Sequence, residues 1–198
     1  MQIKFVHGFI CALLLVSASV RATGQVVYSA EGGRTRISVG GGISGFNPDL
    51  GGRGFWLGPA VWAEYSPAFF RGPLGGLGIA AQGRGIVWNS SNGGYEATVG
   101  GGFIYHLGFI RSHRISPYVK ALGGLGWNPV YQVEGPPFPV YQFGGGVDYN
   151  LNPRISLRGD YEYQIWTHVP SYSHPSQLST DSPNGFTIGA MYHFGGRE

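Results

Sequence analysis

Over residues 186–194 the chain alternates without interruption, with Phe186, Ile188, Ala190, Tyr192 and Phe194 on one phase and Thr187, Gly189, Met191 and His193 on the other. A strand places every second side chain on the same face. The segment therefore presents one wholly apolar face, and three of its five members are aromatic. The closing strand of a soluble sandwich would pack such a face against a second sheet. A membrane strand turns it to hydrocarbon and sets aromatic residues at the interface.

Seven earlier runs repeat the pattern, near 35–44, 54–65, 76–88, 95–107, 115–127, 140–151 and 154–166, with the last run at 185–194. Each is about the length of a tilted membrane strand. One phase is apolar throughout: Ile37, Val39 and Ile43; Phe55, Leu57, Val61 and Tyr65; Tyr95, Val99, Phe103, Tyr105 and Leu107; Val119, Ala121, Leu125 and Trp127; Tyr141, Phe143, Val147 and Tyr149; Ile155, Leu157, Tyr161, Tyr163 and Ile165. The other phase collects Arg36, Glu64, Arg84, Glu96, Lys120, Asp148, Arg158, Asp160 and Glu162. No second layer of sequence is available to cover the apolar phase. The expectation is an all-β fold: an eight-stranded antiparallel transmembrane β-barrel with short periplasmic turns and longer extracellular loops. Periplasmic turns fall at 66–75, 108–114 and 152–153, and outer loops at 45–53, 89–94, 128–139 and 167–184. Eight strands leave an interior just filled by side chains, which argues against a general porin. The near-balanced lumen charges are expected to pair, because uncompensated charges there are costly to desolvate.

Glycine supports this reading: 36 glycines and 15% aromatic residues accompany only 12% charged residues, and no helical apolar stripe is present. The triplets at 40–42, 100–102 and 144–146 fall in mid-strand, where glycine admits tight curvature and a crowded interior. No strand-to-helix context supports a phosphate loop. Trp88, Trp127 and Trp166 stand at strand ends facing the outer loops and read as interface anchors. Trp56 and Trp62 fall on the lumen phase, where a bulge near Pro59 would flip one of them. Histidines 106, 113, 168, 174 and 193 have no metal-ligand spacing and read as surface-loop residues.

Residues 1–22 have the form of a cleaved signal peptide: Lys4, an apolar run of about a dozen residues, then small residues ending at Ala22. The run is short for a spanning helix, which needs about 20 residues. The chain then reads as a lead-in at 23–34, a barrel at 35–194 and a tail at 195–198. The single cysteine, Cys11, leaves with the signal, so disulfides do not hold the exported fold. The formal charge of +3 loses Lys4 and Arg21, and no basic patch points to nucleic acid.

Several stretches together carry a family likeness: the signal peptide, the segment 144–154 (GGGVDYNLNPR), the segment 156–163 (SLRGDYEY) and the terminal 187–194. In this order they make the chain resemble small outer-membrane β-barrels of the OmpA-like or opacity-protein kind. The resemblance implies a non-enzymatic structural or surface-contact role, in envelope integrity or adhesion, exercised through the outer loops. It also implies a monomer bounded by outer-membrane lipid, without cofactor. Thr187, Gly189, Tyr192 and Phe194 resemble the insertion signal that the barrel assembly machinery reads in that family. No peptidoglycan-binding domain follows, so tethering to the cell wall is not expected. Two alternatives stand beside this. His174-Pro175-Ser176 resembles the His-x-Ser pair of outer-membrane lipid A deacylases, with Glu134 or Glu162 as a third member, although Gln177 stands where that family has asparagine. The third reading is a narrow small-solute channel, if lumen ion pairs rearrange.

Overall fold

The computed structural model describes residues 36–48, 54–67, 76–87, 95–107, 114–128, 137–170 and 178–194. These residues form β1 (Arg36–Asn47), β2 (Trp56–Ser66), β3 (Leu77–Ile86), β4 (Glu96–His106), β5 (Ile115–Trp127), β6 (Phe138–Asn150), β7 (Ile155–Pro170), β8 (Leu178–Asp181) and β9 (Asn184–Phe194). Every neighbouring pair is antiparallel, and β1 joins β9 while β6 joins β7, so the sheet closes on itself. The ring has eight staves, β1 to β7 and β9. Closure satisfies the ladder on both edges of each stave, which is what a backbone in hydrocarbon requires.

The stagger of the ring follows from its pairing. A path from Ile37 runs through Tyr65, Ile79, Phe103, Ala121, Phe143, Tyr163 and Asn184 and returns to β1 at Asn47, ten residues further on. Eight strands with that shear tilt by about 40° and enclose a cylinder of about 8 Å backbone radius. Such a cylinder holds side chains and little else.

Alternation then assigns the faces. Ile37, Val39, Ile43, Leu57, Val61, Val99, Phe103, Val119, Leu125, Phe143, Val147, Leu157, Ile188 and Tyr192 all point outward and are exposed. Tyr65, Tyr105, Tyr149 and Tyr192 are the outward tyrosines nearest the ends of β2, β4, β6 and β9, and they form a girdle at the end of the barrel where β1 begins and β9 stops, its terminal end. Phe55 and Trp127 stand outward at the opposite, loop end. An apolar band between two aromatic girdles is the surface of a membrane-spanning barrel.

Inward positions alternate large with small. Side chains as large as Trp62 and Trp166 fit because glycine faces them: a Cβ on Gly40 would collide with the Trp62 indole, and one on Gly126 with Trp166. Gly146 leaves room for the Tyr118 hydroxyl and Gly144 for the Lys120 side chain. In each glycine triplet the two flanking residues face inward and the middle one outward. Trp56 and Trp62 are both buried in the lumen, and the β1–β2 register runs through Pro59 without a shift, so no bulge turns either outward.

Three expectations change. Trp166 is no interface anchor: it is 1% exposed, packs with Val140 and Val169 and closes the lumen at the loop end. The interval 167–184 is not simply a loop, because β7 runs on to Pro170 and pairs with β8, in line with β9, as a hairpin rising past the ring. A bulge between Trp166 and Val169 includes His168 at φ 62°, a left-handed conformation that His adopts more readily than most residues. His106 and His193 are not surface-loop groups, since both engage lumen side chains. Trp88, His113, His174, Ser176 and Glu134 lie outside the described residues. At the terminal end the connection 151–154 is tight: the Asn152 side-chain oxygen accepts from the backbone N–H of Arg154 at 2.9 Å and of Ile155 at 2.8 Å.

Two substitutions separate the faces. Gly40→Leu places bulk in the Trp62 site and is expected to cost about 1–3 kcal/mol, or to prevent assembly. Gly123→Ala points into open space and is expected to be tolerated. Urea unfolding followed by electrophoretic mobility reads both. Ile188→Arg, near the middle of β9 on the lipid face, is expected to cost about 2–4 kcal/mol in bilayers, measured by the same titration in vesicles.

Candidate functional site

Among the described residues the lumen brings charged side chains together, and β7 is its spine. Its inward residues are Ser156, Arg158, Asp160, Glu162, Gln164 and Trp166, all buried. Each meets partners that distant segments deliver across the ring.

At the terminal end, both His193 ring nitrogens contact serine hydroxyls, Nδ1 with Ser38 at 2.8 Å and Nε2 with Ser156 at 2.9 Å. Above them Arg158 donates to both oxygens of Asp148, at 2.7 and 2.8 Å, and through Nη1 to Glu64. Glu64 also faces His106, 3.6 Å away. The Arg158 guanidinium lies 4.3 Å from the Tyr118 ring centroid. A planar guanidinium serves here because it binds a carboxylate at two points while stacking on an aromatic face.

Tyr118 carries the network upward. Its hydroxyl donates to Asp160 at 2.6 Å, and Asp160 accepts from Lys120 at 2.8 Å. Lys120 also donates to Gln82 at 2.6 Å and pairs with Glu162 at 2.8 Å. Glu162 is the hub, accepting from Arg84 (2.9 Å), Gln82 (2.9 Å) and Gln164 (2.8 Å) as well. Arg84 donates to Ser44 and lies 3.8 Å from the centroid of the Phe46 ring. Nearer the loop end the character turns apolar: Phe46, Trp56 and Ile86 form one cluster, Val140, Trp166 and Val169 another.

Of the lumen charges, Glu64, Arg84, Lys120, Asp148, Arg158, Asp160 and Glu162 thus belong to one connected set, held by stacking and hydrogen bonds. Glu96 stands apart from it, and the side chain of Arg36 is outside the described side chains. Pairing at these depths matters because a buried charge without a partner is strongly destabilising. Sequence alternation marked the charges but passed over Gln82, Gln142 and Gln164, and the two serines that hold His193. Their signal was present: each stands on the same phase as the charges. Among the described residues no group of three His, Cys, Asp or Glu side chains is arranged to hold a metal ion.

No protein-family model matches the chain, and no curated protein matches it significantly. Solved structures do. The chain is similar to Neisserial surface protein A, with TM-score 0.53 and 14% identity over 80% of this chain and 96% of that one. It is also similar to the outer membrane protein OprG from Pseudomonas aeruginosa, with TM-score 0.52 and 11% identity over 82% of this chain and 97% of that one. At these identities the likeness is one of fold, that of a small outer-membrane β-barrel.

Arg158→Met removes the cation shared by Asp148 and Glu64, strands the Asp148 carboxylate in the lumen and leaves Glu64 with His106. It is expected to destabilise by about 3–5 kcal/mol, whereas Arg154→Met at the exposed turn should stay within about 0.5 kcal/mol. Parallel urea titrations of the two variants check the contrast.

Proposed function

We propose that this chain is a non-enzymatic barrel of the bacterial outer membrane, whose lumen is structural and whose loop end meets the surroundings of the cell. The observation that carries the reading is the continuous ion-paired network along β7, capped by the Trp56 and Trp166 clusters. A lumen filled in this way stiffens the wall and opposes free passage of solutes. The apolar outer face supports residence in lipid, and the fold shared with outer-membrane proteins agrees with it.

Several parts of this proposal rest on the sequence. Residues 1–22 direct export and are cleaved; Thr187, Gly189, Tyr192 and Phe194 serve recognition by the barrel assembly machinery; the barrel acts as a monomer. The β7–β8 hairpin and the loops beside it form the contact surface for adhesion or envelope integrity. The hairpin extends a rigid ladder beyond the ring, a geometry suited to presenting loop residues at a distance from the membrane. A lipid A deacylase reading would need a Ser–His pair open to lipid. The pair the sequence offers for it, His174 with Ser176, lies outside the described residues, and the His193 contacts with Ser38 and Ser156 are buried inside the lumen.

Outer-membrane extracts run with and without boiling are expected to show a mobility shift, and purified protein in planar bilayers is expected to give no stable conductance steps. Deleting residues 171–177 should leave the shift intact while abolishing any cell or surface binding of the wild type. Loss of an acyl chain from lipid A on expression would instead favour the hydrolase, and stable unitary conductance the channel.

A further inference from the structure

One lumen acid is left out of the network. Arg84, Lys120 and Arg158 are engaged by Glu162, Asp160, Asp148 and Glu64, whereas both Glu96 oxygens are buried without a hydrogen-bond partner. Glu96 opens β4 at the loop end of the lumen and is 2% exposed. The charged groups whose fields reach it are Arg84, Asp181 and Glu162, two of them acidic, and Arg84 is already paired with Glu162.

A second residue nearby points the same way. Gln142 on β6 is fully buried, yet neither its amide nitrogen nor its oxygen has a partner. Its amide rests against Gly100, the second inward position beyond Glu96 on β4, where a Cβ would lie 3.1–3.2 Å from the amide atoms. Arg84 adds a third unused atom, Nη2, and Arg84 pairs in register with Thr98, between Glu96 and Gly100. A buried polar group without a partner is costly, and here a carboxyl, an amide and a guanidinium N–H stand unpartnered in the loop-end half of the lumen, Glu96 lying about 13 Å along β4 from Gly100.

We propose that Glu96 holds a hydrated monovalent cation in the loop-end half of the lumen, with water reaching from the ion toward Gln142. The cation draws on the Glu96 oxygens, while water between the ion and β6 donates to Gln142 Oε1 and accepts from Gln142 Nε2 and Arg84 Nη2. A proton on Glu96, with water on Gln142 and Arg84, would satisfy the same groups without any dependence on the cation present, and the salt comparison separates the two. A divalent ion fits less well, because among the described residues no group of three His, Cys, Asp or Glu side chains is arranged to hold one. The cation thus offsets part of the acid excess of the described lumen, where Arg84, Lys120 and Arg158 stand against Glu64, Glu96, Asp148, Asp160 and Glu162.

Ligand binding to the folded state alone raises the folded-to-unfolded ratio, by about tenfold for each tenfold excess of ligand over its dissociation constant. The test compares urea unfolding of the membrane-extracted protein, with divalent ions chelated, in sodium or potassium chloride and in N-methylglucamine chloride at equal ionic strength. The expected result is a higher midpoint in the small cation, a difference that disappears in E96Q and shrinks in Q142L. Equal midpoints for the wild type in the two salts would overturn the proposal, and so would an undiminished salt difference in E96Q. Should E96Q not assemble, the wild-type comparison decides alone.

Discussion

Ring closure is the constraint on which everything else in this molecule rests. Each backbone N–H and C=O of a stave must find its partner on a neighbouring stave, since hydrocarbon offers none. Eight staves with a shear of ten do this, and the same geometry fixes the interior at a width that one layer of side chains fills from each wall. The glycines follow from that width. Gly40 and Gly189 exist to accommodate Trp62, and Gly126 to accommodate Trp166. Large side chains reach across because small ones stand opposite, so packing density is reached without a conventional apolar core.

The lumen inverts the usual inside and outside of a protein. Apolar side chains that would form a core in water are spread over the wall, and charge is enclosed. Enclosed charge is tolerable only with good geometry, and the geometry is good: Glu162 accepts from four side chains, and Arg158 takes Asp148 at two points while stacking on Tyr118. The result is specificity as much as stability. A slip of one residue in the register of β7 would turn Arg158, Asp160 and Glu162 to lipid and Tyr161 and Tyr163 into the lumen.

Period-two alternation made the fold and the inward charges legible, because lipid outside and polar side chains inside impose opposite chemistry on alternate residues of every strand. Ile188 and Thr187 can be told apart without a structure. What alternation does not encode is where a strand ceases to be wall. Trp166 obeys the lumen phase, but its place near a strand end made it resemble an interfacial anchor. The bulge at His168 and the pairing of Val169 with Ser179 depend on a left-handed residue and on a partner segment rich in Ser and Pro, so no run of apolar residues announced β8. The partners of His193 were hidden for another reason. Ser38 and Ser156 lie far from it along the chain and meet it only through ring closure.

The long sequence separations inside the lumen have a consequence for how such a barrel enters a membrane. Arg158 meets Glu64 across 94 residues, Arg84 meets Glu162 across 78 and Lys120 meets Asp160 across 40. A β6–β7 hairpin entering the bilayer alone would carry Asp148, Asp160 and Glu162 into hydrocarbon with Arg158 as their only local counter-charge. Entry one hairpin at a time is therefore closed to this chain on energetic grounds. The polar face must be enclosed by the other staves before or while it crosses, which makes insertion a concerted event and any half-built ring a species that stays at the surface.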